Sequence, residues 1–138
     1  MIHNTKCTMK EVLLSIKEKY LQEGESAVEE DDDWYIYEPD DILSLSTPCY
    51  IAPRPEFDEN EEEIFPEYAI ENNMDYSIMP ELVADVVINA LDQKKDATEK
   101  ELLKALNYYL DADTFYQVMN RAKSIIVCRI LRSHQRTG

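Results

Sequence analysis

The sequence predicts a small α+β fold: a mainly helical single domain over residues 1–138, with a small antiparallel sheet and an acidic surface loop. Three observations predict it. Two capping boxes each open a run with apolar residues three and four apart, the period of an amphipathic helix. Short clusters of aromatic and β-branched residues occupy the middle of the chain and favour strands. All six prolines fall between positions 39 and 80, so the irregular part of the fold is confined there. The length suits one domain, and 44% apolar content suffices for a core.

The first element follows from Thr8-x-x-Glu11, in which hydroxyl and carboxylate each satisfy an orphan backbone N–H. Met9, Val12, Leu13, Ile16 and Tyr20 then form one stripe, which predicts a helix over 8–22 with Gly24 ending it. Next comes an acidic, aromatic-rich middle, about 23–75. Here Trp34-Tyr35-Ile36-Tyr37, Cys49-Tyr50-Ile51 and Tyr76-Ser77-Ile78 read as short strands, each needing the others to be stable. The stretch 54–63 reads as an exposed loop.

A helical C-terminal half, about 80–132, follows. Pro80 suits a first helical turn, and Val83, Val86, Val87, Ala90 and Leu91 continue on one face. Lys94 and Lys95 are expected in its last turn, where cations favour the helix dipole. Thr98-x-x-Glu101 opens another helix, with Leu102, Leu103, Leu106 and Leu110 inside and a break at 111–113. Phe115, Met119, Ala122, Ile126 and Ile130 predict a last helix.

Charge is the most uneven property of the chain. The formal net charge is −15, yet residues 23–75 alone carry nineteen acids and one base, Arg54, for −18. Such a field repels phosphates, which argues against nucleic acid and anionic membrane surfaces as partners. No apolar run reaches the length of a membrane span. The first residues lack the pattern of a secretory signal. Cys7, Cys49 and Cys128 are odd in number and lack C-x-x-C spacing, which predicts neither a disulfide framework nor a zinc site and points to a reducing cytosol.

Enzyme chemistry finds little support. The two histidines, His3 and His134, lie near the ends of the chain, a poor place to hold catalytic geometry. With two glycines, no phosphate-cradling loop can be built. The run from Glu29 to Asp33 is a hard-oxygen cluster, but it is contiguous and lacks the mid-loop glycine of a calcium loop. Neither a catalytic residue nor a cofactor is predicted.

The acid itself is therefore the candidate feature. Blocks of like charge are usually solvated loops, but aromatics are interleaved with these. Carboxylates with aromatics offer a steering field and desolvated anchors together. The predicted partner-binding residues are Glu30, Asp31, Asp32, Asp33, Trp34, Tyr35 and Tyr37, with Asp58, Glu59, Glu61, Glu62 and Glu63 as a second patch. The carboxylates would meet a basic partner's cations while the aromatics fill its groove.

Thr47-Pro48-Cys49 and Tyr108-Tyr109-Leu110-Asp111, with the acidic run 56–63 and the stretch 69–78 between them, resemble a small acidic bacterial domain of the immunity type. The likeness spans Trp34 to Phe115. It implies a cytosolic antidote of the contact-dependent growth inhibition or polymorphic toxin type, with no chemistry of its own. Its partner would be the basic toxin domain of a large secreted effector, a nuclease and commonly a ribonuclease, inhibited by covering its active site. A nucleic-acid mimic that blocks a DNA-binding protein is the alternative. A mimic needs carboxylates along an elongated face, an antidote one compact patch. A metal-dependent enzyme using the carboxylates is a third reading, for which tight divalent binding would be the sign.

Overall fold

The computed structural model describes residues 1–39, 43–76 and 78–117. In chain order it holds β1 (Thr5–Thr8), α1 (Met9–Glu23), α2 (Glu25–Glu30), β2 (Tyr35–Tyr37), β3 (Pro48–Ala52), β4 (Glu56–Phe57), β5 (Glu63–Ile64), α3 (Glu67–Glu71), α4 (Pro80–Gln93) and α5 (Glu99–Ala112). This is the α+β architecture the sequence predicts.

Both capping boxes are formed. The Glu11 and Glu101 N–H groups donate to Thr8 and Thr98 Oγ1, each at 3.3 Å, and each glutamate carboxylate accepts the cap residue's own N–H at 2.9 Å. Gly24 ends α1 at φ +93°, a conformation that a side chain disfavours, and its N–H donates to the Tyr20 carbonyl at 2.9 Å. Immediately beyond, α2 forms from acidic residues whose single buried side chain, Val28, is too little to give a periodic signal.

The main sheet has the order β1–β3–β2 and is antiparallel throughout. Its central strand is buried on both faces, and this organises the molecule. Cys49 and Ile51 face the helices, joined by Ile36 of β2. Tyr50 and Ala52 face the other way with Tyr37. On the first side, Met9, Val12, Leu13 and Ile16 of α1 meet Val83, Val86, Val87 and Leu91 of α4 and Leu102 and Leu106 of α5. Burying each such side chain contributes about 1.5–3 kcal/mol. Ala84 and Ile88 are buried as well, so α4 is covered more widely than its one predicted stripe.

Several local expectations are corrected. The strand expected from Trp34 starts at Tyr35. Tyr76 and Ile78 lie in no strand, and Ser77, between them, lies outside the described residues; the pairing nearby is an isolated bridge between Glu38 and Asp75. β1 is not announced by its own residues, because Thr5-Lys6-Cys7-Thr8 carries no hydrophobic alternation; it forms by pairing with β3. Helix α4 stops at Gln93, so Lys94 and Lys95 lie past its last turn, and Lys94 Nζ reaches Glu101 at 2.8 Å. The stretch 54–63 is exposed as expected, except for Pro55, but belongs to a hairpin. The predicted last helix falls mostly outside the described residues, as do Cys128, His134 and the basic residues from Arg121 on.

Candidate functional site

The acidic hairpin β4–β5 is built from its tip inward. Asp58 and Glu61 close a turn, with the Glu61 N–H donating to the Asp58 carbonyl at 3.0 Å. The Asp58 carboxylate accepts the N–H groups of Asn60 at 2.8 Å and Glu62 at 3.0 Å, the local bonding that suits aspartate to turns. Glu61 takes φ +61°, a left-handed position that usually favours glycine. Asp58 therefore shapes the tip, while Glu59, Glu61 and Glu62 stand in solvent. The register sets Glu56 opposite Ile64 and Phe57 opposite Glu63. Since Phe57 is 60% exposed and Ile64 48%, both faces of the hairpin are accessible.

Its base is held by aromatic rings. Tyr37 lies edge-on to Phe65 and Tyr76 at centroid distances of 5.6 and 5.9 Å, and Phe65 meets Tyr76 at 5.5 Å. The Tyr76 hydroxyl donates to the Glu63 carboxylate, which holds its phenol well above the ordinary range, at about 12. Tyr50 packs on Tyr68 at 4.8 Å, and the Lys6 ammonium sits 4.6 Å from the Tyr68 ring centroid. These rings form a second small core over the outer face of the sheet.

The predicted aromatic anchors are thereby divided. Trp34 is 2% exposed and Tyr37 fully buried, so neither side chain stands at the surface as the expectation of an exposed anchor requires. The reason is the sheet's two faces. Trp34 packs into the helical core and donates its Nε1–H to the Asp31 carbonyl at 2.7 Å, while Tyr37 fills the outer aromatic core. Half-buried Tyr35 and exposed Phe57 are the aromatics left at the acidic surface.

The carboxylates are divided too. Asp31 is half-buried, 2.5 Å from the N-terminal ammonium and 3.6 Å from Lys19 Nζ, so it is already paired within the chain. Asp33 lies 3.8 Å from His3 Nε2. Among the described residues, no cation is within ion-pairing distance of Glu30, Asp32, Glu59, Glu61, Glu62 or Glu63. Glu56, Glu67 and Glu71 share this exposed, unpaired state, although their sequence context does not single them out.

A shallow groove of about 410 Å³ runs from the first patch to Glu56 at the foot of the hairpin, and none of the second patch lines it. Asp32, Asp33 and Tyr35 line one wall and Arg54 and Glu56 the other. The pairing of Tyr35 with Ala52 sets these segments side by side, so carboxylates twenty or more residues apart share one surface. Sequence distance hides this; only the strand register reveals it. A separate cavity of about 330 Å³ lies between β1, α1 and Trp34, with Val12, Ile16, Val28 and Ile51 inside and Lys19 and Asp31 at its rim. Among the described residues, no group of three or more His, Cys, Asp or Glu side chains is placed to hold a metal ion, and no helix is long and apolar enough to cross a membrane.

Comparison with known proteins places the chain in a family. The family model described as "Domain of unknown function (DUF7716)" matches residues 6–118, which takes in the described elements from β1, less its first residue, to α5, and the chain belongs to that family. No curated protein and no solved structure matches it.

Proposed function

We propose that this member of the DUF7716 family is a cytosolic binding protein that neutralises a cationic partner by covering its active-site groove. The partner class suggested by the resemblance to immunity proteins is the basic nuclease domain of a secreted toxin, commonly a ribonuclease. The observation that carries the reading is the hairpin tip. Glu59, Glu61 and Glu62 are exposed and unpaired among the described residues, they project from a base fixed by aromatic packing, and Phe57 stands exposed beside them. A rigid acidic projection with an apolar shoulder suits a cleft lined by Lys, Arg or His. The groove extends the same surface to Asp32 and Asp33. The concentration of charge on a hairpin and one adjoining groove favours a single matched cleft over mimicry of a nucleic acid, which requires charge along an elongated face.

The test is association kinetics of the full chain with basic nuclease domains, starting with any encoded beside it. The triple variant Glu59→Lys, Glu61→Lys, Glu62→Lys keeps every hydrogen bond that shapes the turn, because Asp58 is retained. Steered association approaches about 10⁸–10⁹ M⁻¹s⁻¹ at low salt. The variant should associate at least about tenfold more slowly there. The difference should shrink near 1 M salt, where the screening length is about 3 Å. An unchanged low-salt rate would sink the steering model. Asp32→Lys with Asp33→Lys should add to the effect if the groove takes part.

A further inference from the structure

We propose that Cys7 and Cys49 form a disulfide site, a redox-controlled staple between the N-terminal strand and the centre of the sheet. The two residues are directly opposed in the antiparallel pairing of β1 with β3. Side chains of opposed residues leave a sheet on the same face, and here that face is the helical core. The ladder identifies the type of pair. The Met9 N–H donates to the Thr47 carbonyl at 3.0 Å, two residues along from Cys7 and Cys49 in the same register. Hydrogen-bonded pairs recur at every second residue, so Cys7 and Cys49 are such a pair, with Cα atoms about 5.5 Å apart. That separation is within the Cα range of disulfides, about 4.4–6.8 Å, and the Cβ atoms, up to about 5.5 Å apart in such a pair, close by about 1 Å when the bond forms.

Access differs between the two thiols, and this orders the chemistry. Cys49 is buried, whereas Cys7 is half-buried and forms part of the wall of the 330 Å³ cavity beside Trp34. A low-molecular-weight disulfide such as glutathione disulfide is the oxidant class that balances the step. The Cys7 thiolate attacks one glutathione sulfur, the glutathione S–S bond breaks, and one glutathione leaves as thiolate. The Cys49 thiolate then attacks the Cys7 sulfur of the mixed disulfide and expels the second glutathione thiolate. The two protons given up by the cysteines end on the two released thiolates, and the two electrons have reduced glutathione disulfide to two thiols. Burial pushes both thiols up, Cys7 to about 11 and Cys49 to about 12, so exchange is slow at neutral pH and starts at the more exposed sulfur.

The experiment uses the full chain and a Cys128→Ser variant, held folded in glutathione disulfide and then in reductant. Expected are a monomer lighter by two hydrogens and a Cys7–Cys49 linked peptide in a non-reducing digest. Its melting temperature should be raised by several degrees and return on reduction. Cys49→Ser should stop at a stable glutathione adduct on Cys7. The proposal is overturned if folded Cys128→Ser accumulates the mixed disulfide without closing it, or fails to react while the unfolded chain reacts. It is also overturned if the full chain links Cys128 to either cysteine in preference, or if the linked form melts lower than the reduced one.

Discussion

Replacing Trp34 by alanine separates the two roles its sequence context allows, surface anchor and core residue. The side chain is 2% exposed. An indole buries about 150–250 Å², and at about 25 cal/mol per Å² this is about 4–6 kcal/mol of transfer free energy. Alanine keeps a small part of that. The lost Nε1–H bond to the Asp31 carbonyl, 2.7 Å long, adds about 1 kcal/mol. Against this, Trp34 lines a cavity that already exists, so the void left behind adjoins space that solvent can enter. The expected loss is about 3–5 kcal/mol, the range of large-aromatic truncations in cores. With a urea slope of about 2 kcal/mol/M, the midpoint falls by about 2 M. Urea unfolding followed by far-ultraviolet circular dichroism measures it, since Trp34 is the sole tryptophan and its fluorescence is lost with it. Trp34→Phe should lie in between and serves if the alanine variant does not fold. A loss below about 1 kcal/mol with an unchanged slope would refute the core assignment and return Trp34 to the surface.

The remaining predictions concern the backbone and the thiols. Thr98→Ala removes the acceptor that caps α5 and should lower unfolding free energy by about 1 kcal/mol in the same assay. Gly24→Ala should cost about 1–3 kcal/mol from backbone strain alone, because φ +93° with ψ 175° is a conformation essentially reserved for glycine and no atom lies within 4 Å of the added methyl; a loss well above that range would show an unseen contact. Cys7 and Cys49 have folded pKa values raised from 9.0 to about 11 and about 12. A raised folded pKa gives stability that is fully present below the unfolded value and lost as pH rises through the folded one. The reduced protein should therefore weaken between pH 9 and 12, and Cys7→Ala with Cys49→Ala should flatten that decline; an equal decline in the double variant would remove the thiols as its cause.

What is legible in the sequence is whatever follows from local patterning. Thr8, Glu11, Thr98 and Glu101 announce two helices because a capping box is completed within four residues and is indifferent to the rest of the fold. The strands β2 and β3 are legible only in part. Ile36, Cys49 and Ile51 read as strand because β-branched and aromatic clusters fit a pleated surface, but which face each side chain takes depends on what covers the sheet. That is why Trp34 and Tyr37 read as anchors: a buried aromatic and an exposed one look alike between carboxylates. β1 shows the same limit from the other side. Thr5 to Thr8 is a strand because β3 lies beside it, and nothing in those four residues says so.

Most of the aromatics interleaved with the acidic residues in sequence are drawn away from the hairpin tip into a core, and that separation argues for function in the hairpin. Tyr37, Tyr50, Phe65, Tyr68 and Tyr76 cover the outer face of the sheet, a task that apolar side chains alone would perform. The hairpin adds nothing to that core from its tip, where Glu59, Glu61 and Glu62 are exposed. Like charges crowded on one turn repel each other, and any stabilising cation is missing among the described residues. The Asp58 turn bonds hold them together against that repulsion. A surface loop needed only for solubility would gain nothing from a defined turn, a left-handed glutamate and a base fixed by three aromatic rings. A surface that must present its charge in one geometry gains from each, because a preorganised interface loses less conformational freedom on binding. Neutralising the tip should therefore leave the fold as stable as before or slightly more so, while an interface that depends on it loses its association rate.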